Sequence, residues 1–127
     1  MTLSELKYLI KINEMYDGTV GIRLTAIAAE MNVTKVSVFK AAERLEQDGC
    51  IRRDEKNRVV VTQHGRGQLA KYNMLICWLG GHLEMNCKVP ADIARHDAIG
   101  AVCAFSEESI AALTEFITKQ KENIHDR

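Results

Sequence analysis

The sequence predicts a mainly α protein, a winged helix-turn-helix followed by a C-terminal helical dimerisation region, on three observations. The stretch "LTAIAAEMNVTKVSVFKAAERLEQDGCI" (24–51) holds two helical patterns broken at Asn32-Val33. Beyond Gly49, "CIRRDEKNRVVVTQHG" joins an apolar start, a polar turn and a β-branched run, which signals a hairpin. From Gly65 onward the pattern changes to long apolar helices.

The first helix opens at Ser4 as an N-cap, with Leu6, Leu9, Ile10 and Asn13 at helical spacing and "YDGTVG" ending it. A short helix from Thr25 to Met31 turns Ile27, Ala28 and Met31 inward. Thr34 caps a longer helix reaching about Asp48, whose core stripe is Val38, Ala42 and Leu45. That leaves Lys35, Ser37, Lys40, Ala41 and Arg44 on the outer side. Gly49 stops the helix in a left-handed conformation, and the hairpin turns at Glu55-Lys56-Asn57 before Val59 to Thr62.

Leu69, Tyr72, Ile76, Leu79 and Leu83 form a seam on the next helix. Pro90 suits the first turn of a helix over 91–105, and Ser106 with Glu107 and Glu108 starts a last one carrying Ile110, Leu113, Phe116 and Ile117. The terminal "KQKENIHDR" reads as a frayed tail. The expected organisation is a DNA-binding domain over 1–67 and a helical dimerisation domain over 68–127, with Leu79, Leu83, Leu113 and Ile117 in the dimer seam.

Composition restricts the function classes. With 17 Lys and Arg against 17 Asp and Glu the net charge is zero, yet residues 34 to 66 carry 8 basic residues against 5 acidic ones. A local positive excess therefore coincides with the helix-turn-helix. Short side chains at Ser37 and Ala41 allow close approach to a major groove, and Lys40 and Arg44 reach base edges or phosphates. Lys35 near the helix start, and Arg52, Arg53, Lys56 and Arg58 on the hairpin, are placed to hold flanking phosphates of double-stranded DNA. The alternative for these charges is an ordinary solvated face, since Asp54 and Glu55 sit among them.

No carboxylate pair, activated serine or phosphate cradle stands out, so the expectation is not an enzyme. No apolar run reaches membrane-spanning length and the N-terminus is not a cleavable signal pattern, so a cytoplasmic chain without membrane partners is expected. The four cysteines, Cys50, Cys77, Cys87 and Cys103, lack any CxxC pair and read as buried thiols.

The order of parts resembles the metal-dependent transcriptional repressors of the diphtheria toxin repressor and manganese transport regulator family. The matching stretches are "ELKYLIKINEM", the helix-turn-helix above, "VVVTQHGRGQLA", "WLGGHLEM" and "CAFSEESIAALTEFI", which together cover almost the whole chain. The family's optional SH3-like domain is not expected in this sequence, which on that reading stands nearer the short manganese regulators. The resemblance implies a homodimeric repressor acting on a palindromic element. It also implies metal ligands where this sequence has Lys7, Ile10, Tyr72, Ile99, Val102 and Cys103. Five of those six do not suit manganese or iron, so the family's metal site is expected to be absent. Zinc remains open through Cys77, His82, Cys87, His96 and Cys103, as does a thiol response at Cys50 or Cys103. A small-molecule effector, and a winged-helix adaptor that binds protein instead of DNA, remain open too.

Overall fold

The computed structural model describes residues 1–125. Its elements run α1 (Leu3–Met15), α2 (Leu24–Met31), α3 (Lys35–Gln47), β1 (Ile51–Arg53), β2 (Val59–Val61), α4 (Gln63–Met85), α5 (Ala91–Ala104) and α6 (Glu107–His125). The strands form one two-stranded antiparallel sheet, and the architecture is a winged helix-turn-helix followed by helices. The chain divides into two compact units, the first over Met1–Leu69 and the second beginning at Ala70.

In the first unit, α1 and α2 both pack on α3. Leu6, Leu9, Ile12, Ile27, Val38, Leu45, Ile51 and Val59 are large side chains almost fully withdrawn from water. Each such Leu or Ile contributes about 1.5–3 kcal/mol of transfer free energy. The cap of α1 is Thr2 instead of the expected Ser4: its hydroxyl accepts from Glu5 N–H at 3.1 Å. The inward stripe includes Leu6, Leu9 and Ile12, while Ile10 is half-buried and Asn13 faces water.

Asn32 takes the left-handed conformation (φ 54°) that ends α2, and Thr34 caps α3 by accepting from Ser37 N–H at 3.2 Å. At the far end Gly49 has φ 77°. Cys50 N–H then reaches back to the Leu45 carbonyl at 2.9 Å, the bond pattern of a glycine-terminated helix. The hairpin pairs Ile51 with Val61, Arg52 with Val60 and Arg53 with Val59. On the free edge of β2, Val59 exchanges two hydrogen bonds with Ile22 at 2.7 and 2.8 Å. These bonds tie the wing to the α1–α2 connection.

Thr62 accepts from Gly65 N–H at 3.0 Å, so α4 starts at Gln63, two residues before the apolar pattern suggested. In the second unit Tyr72, Leu75 and Ile76 are buried, as are Ala94, Ala98, Val102, Ile110 and Ile117. Leu79 and Leu83 are only half-buried, and Leu75 joins the inner face instead. Ser106 caps α6 by accepting from Ser109 N–H at 3.2 Å. The expected frayed tail is helical through His125, with Asp126 and Arg127 outside the described residues.

Gly65 and Gly67 make a paired test of this packing. A methyl group on Gly65 would collide with the Cys50 carbonyl, whereas one on Gly67 would meet nothing within 4 Å. Gly65→Ala is expected to lower stability by about 1–3 kcal/mol. Gly67→Ala, on an open helical face, is expected to raise it by up to about 1 kcal/mol. Urea denaturation of the two variants measures both.

Candidate nucleic-acid interface

The outer face of α3 is set by what its inner face buries. Val38, Ala42 and Leu45 are buried as their spacing requires, and Ala41 joins them at 5% exposure. Ala41 was expected on the outer side. Its place one turn before Leu45 and beside Ala42 instead widens the inner stripe, and its small methyl lets α3 lie close to its neighbours. The line opposite this stripe runs Val36, Lys40, Glu43, Gln47, at i, i+4, i+7 and i+11. Lys35, Ser37, Phe39 and Arg44 flank it, and all eight side chains are exposed.

Ser37 is exposed but not idle. Its hydroxyl lies 2.8 Å from that of Thr34, so it shares in the cap of α3. Lys35, Lys40 and Arg44 are drawn into no close ion pair among the described residues. The apolar members of this face, Val36 at 61% and Phe39 at 43% exposure, escaped the sequence reading because a search for basic side chains passes over them. Their offset from the Val38–Ala42–Leu45 stripe was the available signal.

The wing divides its basic residues. Arg52 and Lys56 are exposed, whereas Arg53 and Arg58 are half-buried. Arg53 Nε stands 3.6 Å from Glu46 and its terminal nitrogen donates to Asn57 Oδ1 at 3.1 Å. Its expected freedom to hold phosphate is therefore reduced by an acid from α3. Asp54, expected only as a neighbouring negative charge, builds the turn: one carboxylate oxygen accepts from Lys56 N–H and Arg58 N–H, each at 2.9 Å. Asn57 completes the turn in the left-handed region at φ 59°.

The residues at the resemblance's metal positions do not fit a hard divalent ion. In the first unit Lys7 is exposed and Ile10 half-buried; in the second, Tyr72 and Val102 are buried, and Ile99 and Cys103 are half-buried. Such a set offers hydrocarbon, an ammonium, a phenol and a single thiol where carboxylate and imidazole donors are needed. Among the described residues, no group of three or more His, Cys, Asp or Glu side chains is arranged to hold a metal. Cys77, His82, Cys87, His96 and Cys103 thus are not brought together as a ligand cluster within the chain. His82 instead lies 2.7 Å from the Asn86 amide and edge-on to Trp78, with ring centroids 4.7 Å apart. His96 stands 3.5 Å from its neighbour Asp97, both exposed. Cys77 and Cys87 are exposed, which corrects the expectation that all four thiols are buried.

No family model matches the chain, and no curated protein matches it significantly by sequence. Among solved structures it is similar to the hypothetical protein SSo2273 from Sulfolobus solfataricus, with TM-score 0.74 and 21% identity over 94% of this chain and 91% of that one. The manganese regulator SloR matches with TM-score 0.71 and 19% identity, and T. acidophilum IdeR with TM-score 0.60 and 19% identity. In both, 93% of this chain corresponds to 55% of the other, so it spans about half the length of those two proteins. The likeness establishes a shared fold. Among the described residues, no helix is long and apolar enough to cross a membrane.

Thiol chemistry separates by location. Burial, followed by the charges of Asp48 and Glu5, pushes the Cys50 thiol above its ordinary pKa and keeps it protonated at neutral pH. The stabilisation from this neutral thiol is present at neutral pH and is lost as pH rises past the unfolded thiol's pKa toward the raised native value. Iodoacetamide at pH 7 is expected to label Cys77 and Cys87 in the native chain and Cys50 only after denaturation, as read by peptide mass spectrometry.

Proposed function

We propose that this chain is a sequence-specific transcriptional regulator that binds double-stranded DNA through α3 and the wing and acts as a homodimeric repressor. The observation that carries the reading is the outward face of α3. Its inner stripe anchors it to the head, while Lys35, Lys40 and Arg44 stand exposed, as do the basic wing residues Arg52 and Lys56. A helix held this way fits a major groove, with its first turns nearest the base edges. The shared fold with a manganese regulator supports the same class of work. Within this reading the chain catalyses no reaction.

Assembly into a homodimer rests on the second unit. Met85, Ile93, Phe105 and Phe116 are large apolar side chains left exposed there. Phe105, Ala112, Leu113 and Phe116 line one open apolar groove. Such surfaces mark interaction sites, and two linked heads read two half-sites. Ile117, expected in the dimer seam, is only 3% exposed in the single chain and serves its interior. Phe116→Glu is expected to shift a dimer at tens of micromolar toward monomer in sedimentation; a wild-type monomer at that concentration overturns the dimer.

Control by manganese or ferrous iron through the family's usual route is not part of this proposal, because the residues at those positions lack the donors. A zinc- or thiol-responsive regulator is the alternative, with the exposed Cys77 and Cys87 as its most accessible groups. Elemental analysis of chelator-free protein, followed by DNA titration with each metal under reducing conditions, decides between them. Stoichiometric manganese or iron with a large rise in affinity would restore the family's mode.

The DNA-binding face is tested by footprinting on a duplex selected from a random library. Lys40→Ala with Arg44→Ala is expected to weaken specific binding at least about tenfold, because one base contact carries about 1–3 kcal/mol of discrimination. Arg52→Ala is expected to reduce the slope of log affinity against log salt by about one. Arg53→Ala is expected to change it less, since Glu46 already faces that guanidinium. Undiminished protection by the Lys40/Arg44 double variant would remove α3 as the reading element and favour a protein-binding adaptor.

A further inference from the structure

The outer line of α3 begins with a valine, and a phenylalanine stands one turn from it. Val36 is 61% exposed and Phe39 43% exposed, at i and i+3 on the first two turns of the helix. Neither belongs to the buried core of the head. Neither is among the half-buried residues packed against that core, which are Met1, Met15, Tyr16, Ile22, Met31 and Leu69. Helix propensity does not explain them either, since β-branched and aromatic residues are poorer helix formers than the polar residues usual on such a face. They form an apolar pair among charged side chains, three basic and one acidic: Lys35 beside Phe39, Lys40 one turn beyond Val36, Glu43 one turn beyond Phe39, and Arg44 a further turn beyond Lys40.

The geometry points to Val36 and Phe39 as specificity-determining residues that read the 5-methyl groups of thymine in the major groove. This inference rests on the DNA-binding reading above and deepens it. The occupant follows from the surroundings of the pair. An apolar spot whose charged neighbours are basic three to one complements a polyanion that carries hydrocarbon between its phosphates, and Glu43 is the one acid among them. In duplex DNA the major-groove hydrocarbon is the thymine methyl, beside the acceptor O4. An aromatic ring or a branched aliphatic group covers such a methyl, while Lys40 remains free to donate to a nearby O4, N7 or O6 acceptor. Phosphate contacts from Arg52 and Lys56 position the helix without carrying sequence information. Val36 and Phe39 then add selectivity for A·T pairs at their point of contact.

The test uses the full chain and a duplex that it selects from a random library. Each thymine of that duplex is replaced singly by uracil, which deletes the methyl and leaves the pairing and the O4 acceptor in place. Burial of one methyl group changes an equilibrium by about fourfold. One or two thymines per half-site are therefore expected to show a loss of about that size for the wild-type chain. Phe39→Gln and Val36→Ser are expected to bind the thymine duplex more weakly and to lose the difference between thymine and uracil. Phe39→Leu, which keeps an apolar group, is expected to retain a difference. Both polar substitutions fall on exposed positions, and a thermal unfolding curve followed by circular dichroism that matches the wild-type chain serves as the check that the variants fold. Selection of a duplex whose thymines are all indifferent to uracil overturns this inference and leaves the DNA-binding reading standing, as does an equal uracil effect in wild type and both polar variants. Failure to select any duplex overturns both.

Discussion

The packing of α3 against α1 and α2 is the constraint on which the head depends. Val38, Ala41, Ala42 and Leu45 occupy one side of the helix, each at 5% exposure or less. Because side chains on a helix keep fixed angular relations, burying these four presents Val36, Lys40, Glu43 and Gln47 to solvent. Local bonds reinforce the same orientation. Thr34 holds the entry of α3, and the glycine-terminated exit turns the chain so that Cys50 and Ile51 enter the core as the wing begins. Ile22 grips the other edge of the wing through Val59. The helix and the basic hairpin are therefore positioned by a common core.

Electrostatics refines this picture more than it creates it. A chain with zero net charge carries no general attraction to a polyanion, so any attraction must come from local arrangement. The arrangement is selective. Glu46 engages Arg53 and Asp54 is spent on backbone N–H groups of the wing turn, while Lys40, Arg44, Arg52 and Lys56 remain exposed. A count of basic residues over 34–66 treats these alike, but their contacts separate those positioned for solvent from those already engaged.

In the second unit, likeness of fold does not bring with it the side chains that the family resemblance implies. The likeness to a manganese regulator extends over 93% of the chain, yet Ile99 and Val102 present hydrocarbon where the family resemblance expects acids. Val102 is 1% exposed and lies among the buried residues of its own unit. A side chain so placed contributes to packing and offers an ion nothing, so backbone similarity and ligand chemistry are separate matters.

Fold class, element order and most helix ends were legible in the sequence because they depend on local information. The period of the apolar residues, Thr34 before a helix, Gly49 after it, and a β-branched run following a polar turn each act within a few residues. Ser4 and Thr2 were both competent caps, and only the completed first turn chose between them. Ala41 had no preferred side by its own chemistry, since a methyl group tolerates either environment; the close approach of α3 to its neighbours buried it. The engagement of Arg53 by Glu46 joins residues from two elements and is invisible to any local pattern. Val36 and Phe39 are a different case: their hydrophobicity alone predicts burial, whereas their offset from the Val38–Ala42–Leu45 stripe is a local signal that they face away from the core.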